Sequence, residues 1–192
     1  MTKLPHPLHA QLKRLGQELD LQIRRKWNRS LPFEESLFDR KERAQALGFG
    51  KGSSIYQLSY VYGDVTVGEN AWIGPLVILD GTGKLRIGNF CSISAGVQIY
   101  SHDTVAWALS GGKAPYAHAP VRIGDACFIG PQATIAKGVT IEDHCAIGAH
   151  SFVNRDLPAH SIAVGAPARI VGRVETDAEG GVRLVYDREQ TR

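Results

Sequence analysis

His102 is the residue whose type and setting point most directly to chemistry. It follows Ile99–Tyr100–Ser101 and opens the stretch 103–120, which carries Trp107, Gly111–Gly112, Tyr116 and His118. An ordinary imidazole titrates near ~6.5, so histidine exchanges protons close to neutrality. At the mouth of a long loop it suits a general base, a role worth roughly 10²–10⁴ in rate. The bland alternative is a loop histidine satisfying backbone carbonyls. Asp103 is poorly placed to orient the ring, because neighbours on a strand point to opposite faces; a backbone carbonyl is the expected partner. Asp80, in Asp80–Gly81–Thr82–Gly83, either holds a ligand or favours a tight turn. Trp107, Tyr116 and His118 line an acceptor pocket or pack the loop.

These residues hang on a repeat of six. Aliphatic anchors recur at Ile55, Val61, Val67, Ile73 and Leu79, then at Ile87, Ile93 and Ile99. A further run is Ile123, Ile129, Ile135, Ile141, Ile147 and Val153. Glycine often follows the anchor, and a small or β-branched residue stands four places on, as at Ala71, Cys91, Cys127, Ala133 and Cys145. Period six is neither helical nor simple alternation. A triangular coil produces it when each side is one short strand and turn: the anchor points inward and the residue four later fills a cramped corner. Stacked coils bury a continuous core. The phase slips by two at residues 80–83, which reads as a small bulge or loop. The stretch 103–120 interrupts the repeat and is long enough to be functional. The cysteines fall on the small corner position and read as buried packing.

The flanks differ. Leu8, Leu12, Leu15, Leu19, Ile23 and Trp27 recur at three and four, so residues 7–28 read as an amphipathic helix. A second helix is expected over 33–47, ended by Gly48. The tail reads as a short hairpin around Glu179–Gly180–Gly181. The expected organisation is a helical arm over 1–52, a β-helix over 53–170 and a tail over 171–192. The formal net charge of +3 is modest, and the densest basic stretch, Arg24–Arg25–Lys26, lacks an aromatic ladder, which argues against nucleic acid. The segment before Ser30 lacks the apolar run of a signal peptide, and three cysteines are too few for a disulfide scaffold; both fit a reducing cytoplasm.

The motifs resemble one family. Ile99–Tyr100–Ser101–His102–Asp103, Val121–Arg122–Ile123–Gly124–Asp125, Gly138–Val139–Thr140–Ile141–Glu142–Asp143, Ile147–Gly148–Ala149–His150–Ser151 and Gly165–Ala166–Pro167–Ala168–Arg169 are similar to segments of the hexapeptide-repeat acyltransferases. The likeness is to the maltose, galactoside and polysaccharide O-acetyltransferases, over residues 53–173. It implies a mainly β fold, a left-handed parallel β-helix, with acetyl-CoA as co-substrate and a homotrimer with sites between subunits. It implies His102 as the base that takes a proton from an acceptor hydroxyl during direct transfer to a sugar or saccharide. It implies coenzyme contacts at Ala149, Asn154, Arg155, Arg169 and Phe128, with Arg173 a second phosphate candidate. It implies an acceptor contact at Asp80, with Trp107 and Tyr116 nearby. The chain departs from the pattern at Pro131, where galactoside-type relatives present a backbone N–H to the oxyanion and proline has none.

Three rival readings stand beside it. An N-acetyltransferase acting on an amino sugar needs the same base. A non-catalytic assembly or binding subunit keeps the coil alone. A zinc-dependent carbonic anhydrase of the same coil needs histidines where Pro131 and Ala136 stand, so no metal is expected. His144 and His150 are six apart and expected to stack on one face, a solvated pair rather than a metal site. The basic helix 7–28 is expected to cover an end of the coil or a neighbour, with peripheral membrane contact at most.

Overall fold

The computed structural model describes residues 6 and 8–187. The chain is mainly β and forms a left-handed parallel β-helix of stacked triangular coils. Each side of a coil is a strand of two or three residues, and equivalent sides of successive coils pair in parallel. One side carries Ser54–Ile55, Trp72–Ile73, Ser92–Ile93, Phe128–Ile129 and Ala146–Ile147 in register. A second stacks Ile78–Leu79, Gln98–Ile99, Thr134–Ile135 and Phe152–Val153. A third stacks Arg86–Ile87, Arg122–Ile123 and Thr140–Ile141. Ile55, Ile73, Ile93, Ile99, Ile129, Ile135, Ile141 and Ile147 are fully buried and make one continuous core.

The small corner positions have a physical cause. Ser53, Ala71, Cys91, Cys127, Cys145 and Ser161 are all buried. The three thiols are free, and each lies near a carbonyl of the next coil, at 3.0 Å for Cys91 and Gly124 and 3.2 Å for Cys145 and Pro158. The glycines after the anchors are required by the coil that follows. A Cβ on Gly88 meets Asp125 Oδ1 at 2.2 Å, and one on Gly124 meets Asp143 Oδ1 at 2.2 Å. Those carboxylates accept the Asn89 and Asp125 backbone N–H groups, both at 2.7 Å, and so tie adjacent coils together.

Of the bulge or loop expected at the phase slip, the structure shows the bulge: Ile78–Ile87 is one strand that runs through a corner, paired with Tyr60–Val67. The two extra residues are absorbed at a register shift between Gly63 and Val65, with Gly63 at φ 66°. The second helix is two helices, α2 (Phe33–Leu37) and α3 (Arg40–Ala46). Phe38 is extended between them, and the Asp39 side chain caps α3 by accepting from the Lys41 and Glu42 N–H groups. Of the two places expected for the long helix α1 (His9–Trp27), the end of its own coil is not the one it takes: it has no buried residue and lies beside α2. The end of the coil is closed by Ala44 of α3 and by Phe49, which both join the core. The tail is the expected hairpin, with Arg169–Thr176 antiparallel to Val182–Tyr186. Among the described residues no helix is long and apolar enough to cross a membrane.

Candidate active site

His102 stands at a corner where the strand ending at Ile99 turns outward. Its Nδ1 lies 2.5 Å from Asp80 Oδ2. Asp80 is almost wholly buried and gathers five hydrogen bonds on one carboxylate, the longest from the Ser101 hydroxyl at 3.5 Å. Its Oδ1 accepts the Thr82 N–H at 3.0 Å and the Thr82 hydroxyl at 2.7 Å. Its Oδ2 accepts the Ser101 N–H at 2.9 Å and the His102 ring. Burial works against ionisation, but the Thr82, His102 and Ser101 hydrogen bonds outweigh it and lower the carboxyl to about 2.

That charge fixes the tautomer. An ionised carboxylate only accepts, so Nδ1 carries the proton and donates it. Thr82 agrees: its one hydroxyl proton goes to Asp80, so its oxygen, 2.9 Å from Nδ1, is an acceptor too. Nε2 is left with its lone pair free, which is the form a base needs. The partner expected from sequence, a backbone carbonyl, is therefore replaced by the Asp80 carboxylate. Asp80 is spent on the ring and on its own turn. Thr82 and Ser101 were missed from sequence; Ser101 is fully buried and accepts the Gly83 N–H at 2.7 Å, closing the turn from the other side.

Beside the ring runs a cavity of about 620 Å³ lined by Tyr100, His102, Asp103, Thr104, Val105, Thr134, Ala136, Lys137, Phe152 and Asn154. The stretch 103–120 is ordered. It contains α4 (Val105–Leu109) and closes on an antiparallel pairing of His102–Asp103 with Ala117–His118. The His118 ring stacks on His102 at 5.8 Å between centroids, Tyr116 approaches at 6.5 Å, and Trp107 packs edge-on against Tyr116. The loop thus folds back as a wall over one face of the imidazole.

The repeat has counterparts among known proteins. A family model described as bacterial transferase hexapeptide (six repeats) matches residues 120–155. The matched residues carry the repeat described by that family model, and they lie within the stacked coils of the β-helix. It is 30% identical over 131 residues to galactoside O-acetyltransferase of Escherichia coli K12, covering 57% of this chain and 64% of that one. It is 34% identical over 116 residues to a putative colanic acid biosynthesis acetyltransferase of the same organism, covering 59% and 61%. The chain therefore spans less than two thirds of the length of these curated relatives. Among solved structures, a maltose O-acetyltransferase from Clostridium difficile 630 superposes with TM-score 0.58 at 26% identity, covering 88% of this chain and 90% of that one. A galactoside acetyltransferase in complex with coenzyme A superposes with TM-score 0.60 at 24% identity, covering 90% and 85%, and shares the fold.

Of the residues singled out from sequence, the fold brings His102 and Asn154 onto one cavity. Arg155 follows Asn154 at an exposed corner, and Ala149 is exposed one coil on from Gly130, where a Cβ would meet its N at 2.7 Å. Phe128 is on another side of the coil, in register with Ser92 and Ala146, and is half-exposed. Arg169 begins the hairpin and donates to its neighbour's carbonyl, Ala168 O, at 2.9 Å. Arg173 is engaged with Glu175, its Nε donating at 2.9 Å. Trp107 and Tyr116 belong to the wall over His102. His144 stacks on His160, at 4.9 Å and 6° between planes, and not on His150. Six residues are one side of a coil, so stacking needs a full turn. No group of three or more metal-ligating side chains occurs among the described residues.

Proposed function

We propose that this chain transfers an acetyl group from acetyl-CoA to a hydroxyl of a sugar or saccharide, with His102 as general base. One observation carries the reading: Asp80 holds Nδ1–H and leaves Nε2 without a hydrogen-bond partner, on a residue that lines a cavity of about 620 Å³. The hydroxyl gives its proton to Nε2 as its oxygen attacks the thioester carbonyl. The tetrahedral adduct collapses, and the departing sulfur takes the proton back. Asp80 stays ionised and stabilises the imidazolium between those steps. The names of the relatives, O-acetyltransferases of galactosides and maltose and a colanic acid acetyltransferase, support acetyl-CoA as donor and a saccharide as acceptor.

Coenzyme A is assigned to the stretch running from Asn154 past Arg155 and Ala149, with Arg169 and Phe128 contributing across a subunit boundary and Arg173 as an alternate phosphate partner. A homotrimer supplies that boundary. Half-exposed Trp72, Phe128 and Phe152 on the outer faces are the surfaces it covers. Three free buried thiols accord with a reducing cytoplasm.

The test is thiol release from acetyl-CoA with a panel of saccharides, wild type against His102→Ala. The variant is expected to lose roughly 10²–10⁴ in turnover while binding coenzyme A unchanged. Equal turnover in both proteins removes His102 from the mechanism.

A further inference from the structure

A tetrahedral adduct needs a donor for its oxyanion. Pro131 carries no N–H and does not line the cavity beside His102. The cavity itself offers neutral donors at Thr104, Thr134 and Asn154, while the Tyr100 hydroxyl is committed to Gln98 at 2.7 Å. Its one cation is Lys137.

Lys137 is placed by the coil. Ile99 and Ile135 are register partners. Lys137 follows Ile135 by two residues as Ser101 follows Ile99, so it emerges one coil on from the residue preceding His102. Its Nζ is 3.1 Å from Asp103 Oδ2, with about a third of the side chain exposed. Asp103 Oδ1 in turn accepts the Val105 N–H at 3.1 Å, at the start of α4. An ammonium has three donors. Asp103 takes one and fixes the head group; the others remain for the cavity. A charged donor is roughly twice as strong as a neutral one.

We infer that Lys137 is a second catalytic residue, the donor that stabilises the oxyanion of the tetrahedral adduct in place of the missing backbone N–H. The inference rests on the acyl-transfer reading above. As the acceptor oxygen bonds to the thioester carbon and its proton passes to His102 Nε2, the carbonyl π pair moves onto oxygen, and the Lys137 ammonium donates to it. When the C–S bond breaks, that pair re-forms the carbonyl, and sulfur leaves with the bonding pair and recovers the proton from His102. Lys137 gives up no proton and ends as it began. Asp103 is a positioning residue in this scheme, holding the ammonium without touching the substrate.

The experiment compares wild type, Lys137→Met, Lys137→Arg, Asp103→Asn and His102→Ala by steady-state kinetics and by calorimetric titration with coenzyme A. Lys137→Met is expected to lower kcat about 10²–10³-fold with the coenzyme A Kd and the acceptor KM little changed. Lys137→Arg restores part of the loss, and Asp103→Asn costs far less than Lys137→Met. Turnover in Lys137→Met equal to wild type overturns the inference. So does a weakening of coenzyme A binding that accounts for the whole loss, which makes Lys137 a ground-state contact. A loss in Asp103→Asn as large as in Lys137→Met also overturns it, because the ion pair then acts structurally. A silent wild type brings down the acyl-transfer reading and this inference together. A silent His102→Ala beside an undiminished Lys137→Met sinks this inference alone.

Discussion

Asp80 carries a negative charge into a nearly closed corner, and five hydrogen bonds keep it there. The arrangement has two measurable consequences. Asp80→Asn keeps the shape but lets the ring choose the other tautomer, so kcat is expected to fall by about 10²–10⁴-fold without loss of coenzyme binding; rate assays paired with calorimetry check this. The second consequence is linkage. The folded-state carboxyl is lowered to about 2, below the ordinary value near ~3.9. Its stabilising contribution is therefore complete above about pH 4 and is lost as pH falls towards 2. Denaturant midpoints of wild type and Asp80→Asn are expected to differ most above pH 4 and to converge on acidification through that window. His102 was legible in the sequence because it ends a hexad and opens the loop. Its partner was not. Asp80 and His102 are 22 residues apart, and the contact depends on how the slipped coil is absorbed, since Leu79 pairs with Ile99 rather than with a residue eighteen along.

At the scale of the element, the coil is held by repetition of small devices. Gly88→Ala is expected to cost about 1–3 kcal/mol, read as a lower denaturant midpoint, because the added methyl meets the Asp125 carboxylate and the Gly124 backbone of the next coil. The cysteine column behaves as packing. Cys127 lies between Cys145 and Cys91, and those neighbours together with burial push its thiol up, away from reactivity. A thiol reagent is expected to leave all three cysteines unmodified in the folded protein and to titrate three after unfolding; fast labelling of any one in the native state contradicts the column. The period of six made these sides legible, since every inward anchor falls on it. The same period misled where stacking was read from it. His144 finds His160 because neighbours along the stack are a full coil apart, whereas His150 lies on the next side. The break between α2 and α3 was also hidden: Phe38 and Asp39 fit a helical pattern, and only the capping of Lys41 and Glu42 by Asp39 starts the chain afresh.

For the whole molecule, the arm and the stack are loosely joined on one side and tightly on the other. The helix α1 has no fully buried residue, while Ala44 and Phe49 belong to the core. Removing residues 1–28 is therefore expected to shift Tm by no more than about 2–4 °C, whereas Phe49→Ala is expected to cost about 3–5 kcal/mol; calorimetry of both variants checks the contrast. Light scattering of the full chain and of the shortened one shows in addition whether the proposed trimer needs the arm.

The excursion at 103–120 leaves from one corner and returns at Val121 without moving a single later strand, since Ile87 still meets Ile123 directly. The chain thus has a socket: a place where sequence can be exchanged while the column beneath stays as it was. Transplanting that segment from a relative with a different acceptor should carry the preference across and leave melting behaviour alone. A scaffold of this kind diversifies by changing what is plugged in, while the prism of strands stays as it was.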